Sequence, residues 1–161
     1  MGKDKRKIIF LDCDGVINSI QWEVVRKDMP PASVIDDAVD PRCLGRIISI
    51  CSETRAKIVI SSDWRINWPF ARTRLEHAGI PEGMIIDRTP LLNVFPGQHH
   101  CSRGEEIQAW LDAHDDVYDY IIIDDREDFL PNQIRLHLVH INNWVGITEK
   151  DRQTAIEMLS R

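Results

Sequence analysis

A chain of 161 residues is long enough to form one domain that buries about two thirds of its unfolded surface. Its net charge of −6 argues against a protein that wraps nucleic acid over a broad surface, because such a surface must be basic, but leaves room for a local basic pocket. No apolar run is long enough to cross a membrane, and the four cysteines form no CxxC pair. We therefore expect a cytoplasmic protein with reduced thiols, whose oligomeric state is left open.

The first informative segment is Ile8–Asn18, with the sequence IIFLDCDGVIN. An apolar run of this kind is typical of a strand buried in a parallel sheet. It leads directly into Asp12 and Asp14, at the strand end where open α/β sheets bind their ligands. Because Asp14-Gly15 is also a strong signal for a hairpin turn, this segment alone leaves both structures open.

The rest of the chain alternates between predicted helices and strands. Helices are predicted after Asp40-Pro41, after Asn67, after the capping box Ser102-Arg103-Gly104-Glu105, and from Thr148 to Leu159. Strands are predicted at 56–61, 84–87, 120–123 and 136–141. This order indicates an α/β, doubly wound (Rossmann-like) fold with a parallel five-stranded sheet and helices on both faces. We expect a single domain over residues 1–161, in which the irregular segment 18–40 forms a small flap or lid.

Polar side chains end three of the predicted strands. They are Asp12 and Asp14, Ser61 and Ser62, and Asp124 and Asp125. Because the carboxyl ends of parallel strands meet at one edge of a sheet, we expect these groups to converge on one crevice. Clustered carboxylates repel one another, and Mg²⁺ is the natural ion to relieve that repulsion, since it prefers carboxylate and phosphate oxygens.

Two arginines are candidate phosphate contacts. The capping box places Arg103 in the first turn of a helix, where a cation opposes the helix dipole and a nearby anion would remove the conflict. The alternative is a solvated arginine on the surface. Arg65 follows Ser61-Ser62 closely and is the second candidate. In the same region Trp64 and Trp68 either stack on a base or, as we favour, pack over the sheet edge.

Together, four short motifs resemble those of the haloacid dehalogenase (HAD) superfamily: Asp12-Cys13-Asp14-Gly15-Val16, Ser61, Arg103 and Asp124-Asp125. The resemblance spans nearly the whole chain. The segments SSDWR, RGEEI, IIIDD and WVGIT are in addition similar to a branch of HAD domains associated with RNA-repair proteins. Arg103 stands where the family more usually has a lysine; it keeps the positive charge but offers a planar fork of donors.

The resemblance implies a catalytic role for each matched residue. Asp12 would be the nucleophile that forms an aspartyl-phosphate, and Asp14 would protonate the leaving oxygen and then activate water. Ser61, or else Ser62, would hydrogen-bond the phosphoryl oxygens, and Arg103 would balance their charge. Arg65 and Gly15 are expected to provide further substrate contacts.

The resemblance also implies Mg²⁺ as the cofactor. The ion would be held by Asp12, by the backbone carbonyl of Asp14 and by Asp124, with either Asp125 or Asp128 completing or bracing the site.

The lengths of the gaps between motifs bear on the substrate. HAD enzymes that act on small metabolites usually carry a cap domain, but the gaps from Asp14 to Ser61 and from Ser62 to Arg103 are too short for a large one. An open crevice favours a substrate that brings its own bulk, and we expect a phosphorylated polynucleotide end, RNA or DNA. Two alternatives stay open: a phosphatase of free nucleotides or other small phosphate esters, and a non-catalytic module that senses phosphate or metal.

Overall fold

The computed structural model describes residues 5–29, 38–92 and 100–161. Helices and strands alternate along these residues, as the sequence predicts. Their order is β1 (Arg6–Leu11), α1 (Ile20–Arg26), α2 (Pro41–Thr54), β2 (Lys57–Ile60), a 3₁₀ turn (Asp63–Asn67), α3 (Trp68–Ala78), β3 (Ile85–Arg88), α4 (Arg103–Asp112), β4 (Val117–Asp124), α5 (Pro131–His137), β5 (Leu138–His140) and α6 (Glu149–Leu159).

The strands of the described residues form one parallel sheet in the order β3-β2-β1-β4-β5. The central strand is β1, where the residues from Ile8 to Leu11 are fully buried. Leu11 pairs with Ile60 of β2 and with Ile123 of β4, so the three strands end level with one another. The predicted parallel five-stranded sheet is confirmed, and the residues that follow these strands meet at one edge of it.

Two hydrophobic cores lie on opposite faces of this sheet. Because side chains alternate along a strand, Ile9 and Leu11 pack into one core together with residues of α2, α3 and α6. On the other face, Phe10 packs against Trp110 of α4, with the two rings edge to face and their centroids 5.4 Å apart. Helices therefore cover both faces, as predicted.

Two segments differ from their predicted structure. Residues Ile20–Arg26 form α1 inside the stretch that the sequence left irregular, because Ser19 caps the helix and Trp22 is buried. Near the other end of the chain, helix α5 starts with Pro131, whose fixed φ suits a first turn, and continues through His137. The predicted strand 136–141 is therefore shortened to Leu138–His140, which lies at the edge of the sheet and, among the strands of the described residues, pairs with β4 alone.

The crevice at the carboxyl edge of the sheet has no folded cap within the described residues, as the short gaps between motifs predict. The predicted lid, 18–40, contains α1, whereas 30–37 lie outside the described residues, as do 93–99. None of the helices in the described ranges is both long and apolar enough to cross a membrane.

Candidate active site

The ends of β1, β2 and β4 bring the predicted strand-end residues together. Asp12 directly follows β1, and its backbone N–H donates to the carbonyl of Ile123 at 3.0 Å. Ser61 follows β2, and its N–H donates to the carbonyl of Leu11 at 3.0 Å. Asp124 ends β4. These ladder bonds hold Asp12, Ser61 and Asp124 at adjacent positions on the sheet edge, and all three residues are buried.

Three carboxylates form a compact cluster at this edge. One oxygen from each of Asp12, Asp124 and Asp125 lies within 4.8 Å of the other two. The Oδ1 atom of Asp125 is buried and has no hydrogen-bond partner among the described residues. Because a buried polar atom normally has a partner, the orphaned oxygen together with two further carboxylates fits the ligand set of a divalent cation such as Mg²⁺.

Arg103 lies at the centre of the cluster. Its Nη1 donates to Oδ1 of Asp12 at 2.7 Å and to Oδ2 of Asp124 at 2.9 Å, and its Nη2 donates to Oδ1 of Asp63 at 3.2 Å. The arginine is only 5 % exposed. The conflict between its charge and the helix dipole is thus removed by three carboxylates of the chain itself.

The position of Arg103 depends on the start of α4. Ser102 and Glu105 form the predicted capping box, and the backbone N–H of Arg103 donates to Oδ2 of Asp128 at 3.2 Å. Asp128, one of the two residues predicted to complete or brace the metal site, therefore contacts the helix start, while Asp125 belongs to the carboxylate cluster.

Gly104 allows this helix start to pack closely against the segment before α5. A Cβ atom at this position would lie 2.5 Å from the backbone nitrogen of Leu130 and 2.6 Å from Cα of Phe129. Both neighbours are backbone atoms, which cannot move aside as the end of a side chain can. A larger residue here would displace the helix that carries Arg103.

Gly104→Ala is therefore expected to lower the free energy of unfolding by about 3 kcal/mol, the upper end of the usual cost of overpacking. The matched control is Gly45→Ala, at an exposed position of α2 where a Cβ meets no atom within 4 Å. Alanine should stabilise that helix by about 0.5–1 kcal/mol. Urea unfolding of both variants measures the difference, and equal effects would contradict the packing argument.

The buried acids have unusual proton affinities. Burial, followed by the charge of Asp124, raises the pKa of Asp12 to about 7, although Arg103 opposes the shift. Burial also raises the pKa of Asp124, again against the effect of Arg103. Burial opposes the charge on Arg103 itself, but Asp12 and Asp124 raise its pKa and keep the guanidinium charged.

The raised pKa of Asp12 predicts how stability depends on pH when no metal is bound. In the unfolded chain an aspartate loses its proton near pH ~3.9, whereas folded Asp12 keeps it up to about pH 7. Across that window the folded state binds more protons, so wild-type stability should fall as the pH rises, relative to Asp12→Asn. Thermal unfolding of both proteins in EDTA at several pH values tests this prediction. A difference in Tm between wild type and Asp12→Asn that does not change with pH would contradict it.

Ser61, Ser62 and Arg65 have distinct surroundings beside the cluster. The hydroxyl oxygen of Ser61 is buried without a hydrogen-bond partner among the described residues. That of Ser62 caps the 3₁₀ turn by accepting from the N–H of Trp64 at 3.3 Å. Arg65 is buried and donates to the carbonyls of Ser61 and Ser62 and to the carboxylate of Glu106. Arg65 therefore holds the backbone of the serine loop, and the Ser61 hydroxyl remains the donor available to a bound phosphoryl group.

Asp14 lies at the exposed rim of the site, in a tight turn closed by an isolated bridge to Asn18. The Asn18 amide donates to Oδ1 of Asp14 at 2.7 Å, and the indole N–H of Trp64 lies 3.1 Å from both carboxylate oxygens. Gly15 has a φ of +82°, and a Cβ there would lie 2.6 Å from Oδ2 of Asp125. The glycine thus lets the turn that carries Asp14 lie directly against the carboxylate cluster.

A cavity of about 350 Å³ lies beside these groups. Its charged lining consists of Arg65, Arg103, Arg126, Asp63, Glu106 and Asp128. A cavity of this size accommodates a small ligand. Its three arginines are matched by three acids in the same lining, with Arg65 paired to Glu106 and both Arg103 and Arg126 near Asp63.

Sequence reasoning missed several residues of this site. Asp63 contacts Arg103, and its place directly after the serine pair was an available signal. Glu106 pairs with Arg65 from 41 residues away, and no local pattern indicates that pairing. Trp64 packs against the core, as the sequence favours, but no local pattern indicates that its indole N–H also contacts the carboxylate of Asp14.

Comparison with known protein families agrees with this geometry. The family model described as "HAD domain in Swiss Army Knife RNA repair proteins" matches residues 8–152. No curated protein and no solved structure gives a significant match. The match includes β1 from Ile8 onward, the whole of β2 to β5, and every residue of the carboxylate cluster. The chain therefore belongs to the family of HAD domains found in Swiss Army Knife RNA repair proteins, within a superfamily of phosphohydrolase-type enzymes.

Proposed function

We propose that this protein is a Mg²⁺-dependent phosphomonoesterase that acts on the phosphorylated end of a polynucleotide through an aspartyl-phosphate on Asp12. One observation carries the proposal: Asp12 lies at the end of the central strand, accepts a hydrogen bond from Arg103, and is clustered with the carboxylates of Asp124 and Asp125. Such a carboxylate is suited to attack phosphorus, because the guanidinium is already placed to balance phosphoryl charge and the two further acids would hold a divalent cation that does the same.

In the first half of the proposed reaction, an oxygen of Asp12 forms a bond to phosphorus while the bond from phosphorus to the leaving oxygen breaks. Asp14 gives its proton to that leaving oxygen. The hydrogen bond from Arg103 engages Oδ1 of Asp12, so attack would use the other oxygen. The Ser61 hydroxyl donates to the phosphoryl oxygens and thereby gains the partner that it lacks.

In the second half, Asp14 takes a proton from water, and the resulting hydroxide attacks the phosphorus of the aspartyl-phosphate. The bond between phosphorus and Asp12 breaks, which releases inorganic phosphate and restores the Asp12 carboxylate. Asp12, Asp124 and Asp125 would hold Mg²⁺ together with the backbone carbonyl of Asp14. When bound, this ion would offset the negative charge of the transferred phosphoryl group.

Two observations support a polynucleotide end as the substrate. The described residues place no folded cap over the site, which is consistent with a substrate that extends beyond the cavity. The family is that of HAD domains in RNA repair proteins, whose description makes phosphorylated RNA ends the first substrates to test. The size of the cavity, about 350 Å³, favours a second candidate: a phosphatase of free nucleotides or other small phosphate esters.

Phosphate release separates these two functions. Inorganic phosphate would be measured from RNA and DNA oligonucleotides phosphorylated at the 3′ or the 5′ end, and from the matching mononucleotides, with Mg²⁺ or with EDTA. We expect release that requires Mg²⁺ and is faster from an oligonucleotide than from its mononucleotide. Equal or faster release from mononucleotides would favour the second candidate, and no release from any oligonucleotide would contradict the polynucleotide proposal.

A further inference from the structure

A second concave surface adjoins the catalytic acid. It is a groove of about 300 Å³ formed by the 3₁₀ turn and the start of α3, and we call it the aromatic groove. Its lining consists of Asp63, Trp64, Ile66, Asn67, Phe70, Ala71 and Arg74. Asp63 and Ile66 also line the cavity that contains Arg103, so the two concave surfaces share a wall.

Trp64 connects the groove to the proposed chemistry. Its indole nitrogen is 3.1 Å from each oxygen of Asp14, the group that would give its proton to the leaving oxygen. The leaving group must be in contact with Asp14 when the phosphorus–oxygen bond breaks. The part of the substrate attached to that oxygen therefore has the aromatic groove next to it.

The groove has the chemistry of a site for a flat, aromatic group. Phe70 is 58 % exposed and Ile66 is 67 % exposed, and both would lose apolar surface to water if a planar ligand covered them. The guanidinium of Arg74 lies 4.8 Å from the ring centroid of Trp64 and 6.0 Å from that of Phe70. Aromatic rings and arginine planes are the groups on which proteins stack unpaired bases.

We propose that the aromatic groove is a subsite for the nucleobase of the terminal nucleotide, the one whose phosphate is removed, and that Phe70 is its stacking platform. The inference rests on the proposed function, because it names the part of a polynucleotide that occupies this surface. The terminal phosphate enters the cavity beside Arg103, and its own base lies across the shared wall formed by Asp63 and Ile66.

The test compares two substrates that differ only in the base. One is an oligonucleotide phosphorylated at the end that the wild type accepts, and the other has an abasic residue at the same end. We expect wild type to prefer the base-bearing substrate by about tenfold in kcat/KM, mainly through KM, since stacking binds ground and transition states alike. Phe70→Ala should lose this preference, and Phe70→Tyr, which keeps an aromatic ring, should retain it.

Tyr118→Ala provides the matched control. Tyr118 is 52 % exposed, but it lies near the start of β4, at the opposite edge of the sheet from Asp14. Its replacement should leave the preference for the base intact. A wild type that releases phosphate equally from both substrates, or a Phe70→Ala protein that keeps the preference, would overturn the subsite and leave the proposed function standing. If the wild type releases no phosphate from any phosphorylated oligonucleotide, the proposed function fails and the subsite with it.

Discussion

Asp12→Asn is expected to lower the rate of phosphate release by at least about a thousandfold, because the amide cannot act as the nucleophile that forms the aspartyl-phosphate. Asparagine has nearly the same size, and its carbonyl oxygen can still accept from Arg103, so the site should keep its shape. The effect is measured as the rate of inorganic phosphate release in the presence of Mg²⁺, with whichever phosphorylated oligonucleotide or mononucleotide the wild type hydrolyses fastest.

Asp112→Asn is the control for this substitution. Asp112 is an exposed acid at the end of α4, where it accepts from Gln108, and it lies outside the carboxylate cluster. Its amide variant should release phosphate at the wild-type rate. If Asp12→Asn keeps a substantial part of the activity while remaining folded, another group must attack phosphorus, and the aspartyl-phosphate mechanism is wrong.

Arg103→Met should destabilise the protein more than any exposed charge substitution. The guanidinium separates Asp12 from Asp124, and both carboxylates are buried. Removing one partner of a buried ion pair leaves uncompensated charge, which commonly costs about 3–5 kcal/mol of the free energy of unfolding. Urea unfolding at pH 8 in EDTA measures this loss, because both acids are then least able to relieve it by taking up protons. Phosphate release should fall as well, since the proposed reaction relies on the same charge.

Two further variants distinguish the loss of stability caused by breaking a buried ion pair from the loss caused by removing any arginine side chain. Arg72→Met removes a partly exposed arginine that pairs with Glu76 along α3, and the expected cost is about 0.5 kcal/mol. Arg103→Lys keeps a positive charge and should recover part of the stability, although it cannot reproduce the forked contacts to three carboxylates. Equal losses for Arg103→Met and Arg72→Met would show that the pairing at Arg103 contributes little.

The architecture of the sheet could be predicted from the sequence because its signals are local. Apolar runs that end at Asp12, Ser61 and Asp124 mark buried strands, and the alternation with helices implies that these strands are parallel. Parallel strands end at the same edge of the sheet. The proximity of these three residues could therefore be predicted even though the order of the strands was unknown. The capping box at Ser102 was likewise readable, since all of its groups lie within four residues.

The pairing of groups within the site could not be predicted in this way. The start of α4 indicates that Arg103 needs a nearby anion, but nothing local indicates that Asp12 and Asp124, which are 91 and 21 residues away, provide it. The predicted strand 136–141 was wrong at its start, because Leu136 and His137 complete a helix that begins at Pro131.

The residues at the ends of the central strands, and with them the fold and the family, can be identified from the order of the amino acids. The folded chain is needed to show that Asp125 joins the cluster while Asp128 contacts the start of α4, and that Trp64 contacts Asp14. The two kinds of information differ because the underlying interactions differ in range along the chain. The periodic pattern of apolar residues and helix capping involve residues within one segment. A buried charge instead pairs with groups from any segment that the packed sheet brings within hydrogen-bond distance.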